Sequence, residues 1–152
     1  MSSIETLPDG YEISTAQDRL DVDAVHAYLT RSYWSPGIPR DIVERALRNS
    51  WCVGAYAPDG AQVGLSRVIT DFATFAYLCD VYVLEGHRGR GISKAMMRAV
   101  MAHPALAGAR RAMLATRDAH GLYRRFGFED VQANGVLMEI LRPDIYRSRT
   151  AG

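Results

Sequence analysis

EGHRGRGISK, residues 85–94, is the stretch that decides how this chain is interpreted. It lies between an apolar run that ends at Leu84 and a segment with helical apolar spacing that begins at Ile92. Glycines let the backbone approach a ligand closely, and the first turn of a helix leaves N–H donors at the positive end of the dipole. The stretch therefore predicts a strand–turn–helix unit that binds an anion, most naturally a phosphate group.

Two common phosphate sites do not fit this turn. A Walker A loop needs Gly-Lys followed by Ser or Thr, whereas Gly91 is followed by Ile92 and Ser93. A dinucleotide site needs a third glycine three positions after Gly91, where this chain has Lys94. The turn thus disfavours an NTPase and a Rossmann enzyme. An acyl-CoA site and a basic surface turn remain as alternatives.

Apolar spacing extends this unit into a mixed α/β fold. We expect a single domain over residues 1–152, with a central sheet of about six to seven strands and helices on both faces. The strand–helix–strand unit around Ile92 should be right-handed. Strands are predicted over residues 11–14, 51–57, 62–70, 75–84, 111–116 and 136–141, with one more strand possible over 128–132. Helices are predicted over residues 21–33, 40–49 and 92–103, and a short one from Asp118 to Gly127.

A second motif, LYRRFGF at residues 122–128, follows the next predicted strand. Together with RGRGIS at residues 88–93 it resembles the GNAT superfamily of N-acetyltransferases. The family signatures are Arg/Gln-x-x-Gly-x-Gly/Ala and Leu/Phe-Tyr-x-x-x-Gly-Phe. Ser93 stands where the family has Gly or Ala, and Ala119 also fits the second motif. The likeness covers residues 51–141 and implies a GNAT-like acyl-CoA N-acyltransferase fold.

This resemblance implies acetyl-CoA as co-substrate, bound by a core of about residues 75–128. It implies that the strand over 75–84 diverges from its parallel neighbour, so that pantetheine amides pair with the exposed backbone. Thr116 stands where many members carry an Asn that contacts CoA. The predicted cofactor-binding residues are Val81, Tyr82, Val83, Arg88, Gly89, Arg90, Gly91, Ile92, Ser93, Thr116 and Tyr123.

Two side chains are candidates for proton transfer. Asp80 lies inside the apolar run, where desolvation favours a carboxylate as a base, and the family often has an acidic residue on this strand acting through water. Tyr123 occupies the motif position of the family's acid, which protonates the leaving thiolate. The alternatives stay open: Asp80 could pair with an Arg or cap a turn, and Tyr123 could pack in the core.

The acceptor side is expected to be built by residues 18–50, because the N-terminal helices shape that pocket in the family. The loop between them reads YWSPGIP, residues 33–39, and its aromatics on a Pro-constrained loop could form a rigid wall or simply pack on the core. Residues 1–86 carry twelve acidic and six basic residues, which suits a cationic amine. The sequence does not identify that amine.

Composition excludes several other classes. A net charge of +1 over 152 residues predicts no nucleic-acid or membrane partner, although residues 87–125 hold nine basic residues and one acidic residue, which suits an anionic ligand. Cys52 and Cys79 are predicted to be buried free thiols of a cytoplasmic protein, and the four histidines show no metal-ligand spacing. A homodimer is compatible with this sequence. A non-catalytic acyl-CoA sensor is the alternative function, and an Arg-rich nucleic-acid-binding module is a third.

Overall fold

The computed structural model describes residues 4–132 and 135–150. Helices and strands follow one another as the spacing predicts through the centre of the chain. The strands are β1 (Ile4–Thr6), β2 (Glu12–Ser14), β3 (Trp51–Tyr56), β4 (Gln62–Thr70), β5 (Phe75–Val83) and β6 (Arg111–Leu114). The helices are α1 (Val22–Leu29), α2 (Arg40–Arg48), α3 (Ile92–Ala102), α4 (Pro104–Ala107), α5 (His120–Arg124) and α6 (Ile145–Thr150).

The six strands of the described residues form one open sheet in sequence order, from β1 at one edge to β6 at the other. Neighbours are antiparallel up to β5, and only β5 and β6 run parallel. A parallel pair needs a crossover connection, which α3 and α4 supply here. This architecture confirms the predicted mixed sheet, and it places the carboxyl end of β5 next to the start of α3.

Two cores cover the two faces of the sheet. One contains the buried side of α3, including Met96 and Met97, and the other packs α1 and α2 against Leu65. Because β5 has apolar neighbours on both faces, it could be recognised in the sequence as a nearly continuous apolar run. β5, which carries several of the predicted site residues, is thus packed against a core on each face.

A β-bulge in β5 changes which side chains face which core. Between the pairs Arg67↔Cys79 and Leu65↔Tyr82, β5 has one residue more than β4, and Asp80 adopts a left-handed φ of 51°. Leu78 consequently belongs to the α3 core and Tyr82 to the α1–α2 core, although strict alternation would put both on one face. The bulge thus turns Asp80 and Tyr82 toward the helices of the N-terminal half.

The N-terminus of α1 is capped by an aspartate side chain, whereas the predicted N-cap of α5 is wrong. Asp21 caps α1 by accepting a hydrogen bond from the Ala24 amide at 3.0 Å. Asp118 was predicted to cap the last central helix, but α5 begins only at His120, and the Thr116 hydroxyl accepts from the Ala119 amide at 3.0 Å. The Thr116 hydroxyl, two residues before Asp118, thus accepts a hydrogen bond at this helix end in place of the Asp118 carboxylate. The helix also ends sooner, at Arg124.

The strand predicted over residues 136–141 is wrong, and so is the further strand over 128–132. Both segments lie within the described residues and are neither helix nor strand. Apolar residues form a strand only where a neighbouring strand supplies hydrogen bonds, and this condition is not local. The sixth strand is instead β1, whose three exposed residues carry no apolar alternation to detect. Among the described helices, none has both the length and the apolarity to span a membrane.

Candidate functional site

A groove opens where β5 and β6 stop pairing. The parallel ladder runs from Phe75↔Arg111 to Leu78↔Leu114, and β5 then continues to Val83 without β6 beside it. The backbone of residues 79–83 therefore faces a groove of about 850 Å³ on that side. This volume is typical of a small-molecule site. The divergence is the one expected for a strand that pairs with an extended ligand.

The glycine-rich turn lies at one end of this groove. Gly89 and Gly91 have φ of 79° and 78°, a conformation that only glycine adopts without strain. The first helical hydrogen bond of α3 runs from the Ala95 amide to the Gly91 carbonyl at 3.0 Å, so the amides of residues 92–94 point out of the helix end. Ser93 also lines the groove. This end can hold an anionic group through backbone donors and the helix dipole.

The two arginines of the turn have different surroundings. Arg88 lines the groove, donates from Nε to the Val83 carbonyl at 2.8 Å, and reaches the Tyr28 hydroxyl at 3.4 Å. Arg90 turns the other way and pairs with Asp9 at 3.1 Å. The structure thus brings Arg88 to the groove, whereas Arg90 would have to leave Asp9 to reach an anion there.

Tyr123 and Thr116 line the same groove from the opposite side. The Tyr123 ring packs edge-on against Phe128 with centroids 6.1 Å apart, and its side chain is buried. Burial raises the pKa of Tyr123 to about 12. Its phenol therefore stays protonated well above neutral pH and can act as a hydrogen-bond or proton donor. The Thr116 hydroxyl accepts a hydrogen bond from the Ala119 amide.

Asp80 is held by two donors from distant segments. One carboxylate oxygen accepts from Trp34 Nε1 at 2.8 Å, and the other accepts from Arg67 Nε at 2.8 Å. The Asp80 side chain is 8% exposed and that of Arg67 16%. Pairing with an arginine is the alternative that the sequence left open for Asp80. Each carboxylate oxygen still has a second lone-pair direction, so a water molecule could be bound as well.

Aromatic rings form one wall of the groove, and Tyr28 of this wall lies beside Arg88. Tyr28 stacks on Tyr82 with centroids 4.0 Å apart, Tyr33 and Trp34 meet edge-on at 5.0 Å, and Arg117 lies 3.8 Å above the Tyr33 ring. The loop between α1 and α2 thus lines the groove and is fastened to Asp80 through Trp34. Tyr33 and Trp34 are exposed and belong to neither core, so the alternative that they pack on the core does not apply.

Two residues of this site, Arg67 and Tyr28, were not predicted from the sequence. Arg67 was not singled out, although a charged residue within the buried strand β4 is the same signal that drew attention to Asp80. Tyr28 counted only as a helical residue, and no local pattern relates it to Tyr82.

Cys79 also lines the groove, and burial raises its pKa to about 12, so it stays a thiol. No group of three His, Cys, Asp or Glu suited to a metal occurs among residues 4–132 and 135–150.

The chain is similar in sequence to known acetyltransferases. A family model described as "Acetyltransferase (GNAT) domain" matches residues 48–130. An inferred acetyltransferase of Gibberella zeae is 36% identical over 143 residues, which cover 79% of this chain and 80% of that protein.

Solved structures give the same picture. The crystal structure of an inferred GNAT-family acetyltransferase from Xanthomonas campestris is 50% identical, covers 92% of this chain and 98% of that chain, and has a TM-score of 0.87. A protein of unknown function from meticillin-resistant Staphylococcus aureus, described as a probable acetyltransferase, is 21% identical and has a TM-score of 0.69. It covers 93% of this chain and 100% of that chain, and it is similar in fold alone.

Proposed function

The chain belongs to the GNAT family of acetyltransferases, and from that premise we propose that it transfers an acetyl group from acetyl-CoA directly to a primary amine. The observation that carries this proposal is the single groove that combines the open edge of β5, the N-terminus of α3 and the Tyr123 phenol. Direct transfer requires both substrates in one groove, and this one is continuous from the glycine-rich turn to the aromatic wall. Cys52 is buried as predicted and Cys79 is only half-buried, but both are free thiols, which suits a reducing compartment, so we place the reaction in the cytoplasm.

We assign the binding of acetyl-CoA to residues 75–128. Amides of residues 92–94 and the turn Gly89–Gly91 would hold the pyrophosphate, with Arg88 as the nearest cation of the turn. The edge of β5 over Val81, Tyr82 and Val83 would pair with the pantetheine amides in the manner of an added strand. Arg90 and Thr116, which are engaged elsewhere, would act after a change of partner.

The chemistry needs a proton acceptor and a proton donor. The amine nitrogen attacks the thioester carbonyl carbon, the C–S bond breaks, and the amine loses a proton while the sulfur gains one. Tyr123 would donate its phenolic proton to the departing sulfur and regain one from solvent. Asp80 would accept the amine proton by way of a water molecule on its remaining lone pairs. A backbone amide of β5 near Val81–Val83 would polarise the carbonyl.

We assign the acceptor side to residues 18–50 and the aromatic wall. Trp34 offers an aromatic ring face that attracts a cationic amine before it loses its proton, whereas Arg31 lies over the Tyr28 ring and Arg117 over the Tyr33 ring. The wall is fixed to β5 through Trp34 and Asp80. The amine would therefore approach the thioester between the aromatic loop and the bulge.

Replacing Tyr123 with Phe tests this function. We expect kcat to fall by about 100-fold, because general acid catalysis contributes at least that much, while the Kd of acetyl-CoA stays unchanged. Thiol release over a panel of primary amines measures turnover, and titration calorimetry measures binding.

Tyr33→Phe serves as the control, since that exposed tyrosine lines the same groove but is not the proposed donor. Full activity of Tyr123→Phe would remove Tyr123 from the mechanism. Binding of acetyl-CoA without thiol release on any amine would contradict the proposed acceptor class. Absence of binding by the unchanged protein would refute the cofactor site.

A further inference from the structure

The large groove beside β5, about 850 Å³ in volume, is lined by more cationic than anionic side chains. The cations are Arg31, Arg88 and Arg117, and the anions are Asp80 and Asp118. Among the described acidic residues of the segment 1–86, only Asp80 lines this groove, and Arg67 already matches its charge. The acidic excess of that segment therefore does not reach the groove, whose lining attracts an anion as well as an amine.

Two of these arginines lie on aromatic rings of the acceptor side, and they differ in what their N–H groups bind. The Arg31 guanidinium carbon lies 4.5 Å from the centroid of the Tyr28 ring, and its terminal nitrogens donate to the two carboxylate oxygens of Glu85 at 2.7 and 3.1 Å. The Arg117 guanidinium carbon lies 3.8 Å from the centroid of the Tyr33 ring. Within residues 4–132 and 135–150, Arg117 makes no hydrogen bond and no ion pair. Arg31 is thus neutralised, whereas the charge of Arg117 is not.

The contact with Tyr33 prepares the Arg117 guanidinium for a ligand. A ring face limits the rotamers of a long side chain but uses none of its N–H donors. A guanidinium held in this way presents a planar fork, and such a fork matches the two oxygens of a carboxylate in a bidentate pair. Because no carboxylate of the described chain reaches Arg117, the groove can supply this pair only with a bound molecule.

We propose that the acceptor carries a carboxylate as well as the amine, and that Arg117 binds this carboxylate. The inference rests on the proposed function, because it concerns the acceptor of that reaction. The amine lies against Trp34, which is hydrogen-bonded to Asp80, while the carboxylate lies against Arg117. Tyr33 and Trp34 are neighbours, with ring centroids 5.0 Å apart, so one small zwitterionic molecule spans both places.

The surroundings of Arg117 favour a carboxylate over a phosphate group. Asp118 follows it in the chain and also lines the groove, and among the described residues it pairs with no cation. Its negative charge opposes a phosphate of nearly two charges more strongly than a carboxylate of one. The pyrophosphate of acetyl-CoA is assigned to the turn Gly89–Gly91, whereas Arg117 contacts the loop assigned to the acceptor.

Pairs of amines that differ by one carboxylate test this assignment. γ-Aminobutyrate is compared with propylamine, β-alanine with ethylamine, and lysine with cadaverine, by thiol release at saturating acetyl-CoA. For the pair with the fastest turnover, we expect kcat/KM to be about 10- to 100-fold higher for the acid, because a positioned charge-assisted hydrogen bond discriminates by that much. The difference should lie mainly in KM, since the carboxylate is bound equally before and during transfer.

Arg117→Met should bring this ratio of kcat/KM close to one, because Met keeps a long apolar stem but offers no donor. Arg117 is exposed, so the variant should keep the melting profile of the wild-type chain. Tyr33→Leu removes the ring beneath the guanidinium and should lower the ratio in part. Arg31→Met is the matched control, since Arg31 also lies on a ring of this groove but is paired with Glu85, and it should keep the ratio.

The outcomes separate this inference from the proposed function. Thiol release at equal kcat/KM for both members of every pair would overturn the carboxylate and leave the acetyltransferase standing. No thiol release with any amine would refute the proposed function and the inference with it. A preference for phosphoethanolamine over ethanolamine, with none for the acids, would assign Arg117 to a phosphate group instead. An unchanged ratio in Arg117→Met would overturn its role, and weaker acetyl-CoA binding by that variant in calorimetry would assign it to the cofactor.

Discussion

The two ends of the large groove are built in opposite ways. At the glycine-rich end, consecutive residues 89–94 present backbone amides, and their side chains matter little. At the aromatic end, Trp34, Arg67 and Asp80 meet from three segments, and only side chains carry the arrangement. Local conformation is therefore enough to position backbone amides, whereas side chains from distant segments are positioned only by the folded sheet. The two ends should therefore fail in different ways when they are mutated.

Disrupting the Arg67–Asp80 pair should have the largest effect on the folded state. Arg67→Met leaves the buried Asp80 carboxylate without its countercharge, which should lower the free energy of unfolding by about 3 kcal/mol, or roughly 10 °C in Tm. Asp80→Asn leaves the Arg67 guanidinium without its countercharge, but Arg67 is more exposed than Asp80 and keeps its hydrogen bond to Ser50, so this variant should cost less. It would also abolish any role of Asp80 as a base. Thermal and denaturant unfolding measure stability, and thiol release measures turnover.

Arg40→Met is the control for this pair, because Arg40 pairs with Asp23 on the surface and should change stability by less than about 1 kcal/mol. Equal costs for Arg67→Met and Arg40→Met would mean that the aromatic end is not held by the buried pair. Full turnover of Asp80→Asn would leave Asp80 as a positioning residue that fixes Trp34.

At the glycine-rich end the effect should be smaller and confined to backbone conformation. Gly91→Ala places a side chain at a φ of 78°, which should cost about 1–2 kcal/mol and weaken acetyl-CoA binding about tenfold by reorienting the amides of α3. A Cβ at Gly91 would meet open space, so steric overlap is not the cause. Unfolding and calorimetry measure the two effects.

Gly86→Ala provides the comparison within the same turn. A Cβ at Gly86 also meets open space, and Gly86 does not have a positive φ. We expect almost no change in stability or binding. If Gly86→Ala and Gly91→Ala behaved alike, the left-handed conformation would not be what positions the anion site.

The smallest expected effect is that ionisation of Tyr123 leaves no trace in the pH dependence of kcat/KM up to about pH 10. Because burial raises the pKa of Tyr123 to about 12, its proton-donating form persists as the pH rises past the ordinary tyrosine value of about 10. We expect kcat/KM to rise as the amine loses its proton and to show no fall with a midpoint near pH 10. A fall with a midpoint near pH 10 would show that an ordinary, solvated tyrosine is the acid.

Prediction from sequence succeeded where the signal was local. The strand–turn–helix unit around Gly91 appears with boundaries within one residue, because an apolar run, two glycines and a helical repeat each specify their own conformation. β4 was predicted at its observed bounds for the same reason. The order of β3, β4, β5 and α3 follows from these elements, and the first family motif, at residues 88–93, belongs to this part.

Prediction failed where pairing partners decide the outcome. Residues 136–141 have the composition of a strand but are not part of the sheet, whereas Ile4–Thr6 has no such composition and is part of it. The bulge at Asp80 is another case, since one extra residue in β5 relative to β4 changes which face each later side chain occupies. The sequence points to Asp80 as a candidate base, but no local pattern indicates that Arg67 and Trp34 hold its carboxylate.

The amino-acid sequence alone specified the central strands, the left-handed glycines of the turn and the helix that follows it, because φ preferences and apolar periodicity act over a few residues. Three features arise only in the tertiary structure: the divergence of β5 from β6, the pairing of Asp80 with Arg67 and Trp34, and the open edge of β6. Each of these depends on hydrogen bonds and ion pairs between residues far apart in the chain. Such contacts exist only after the sheet has brought those residues together.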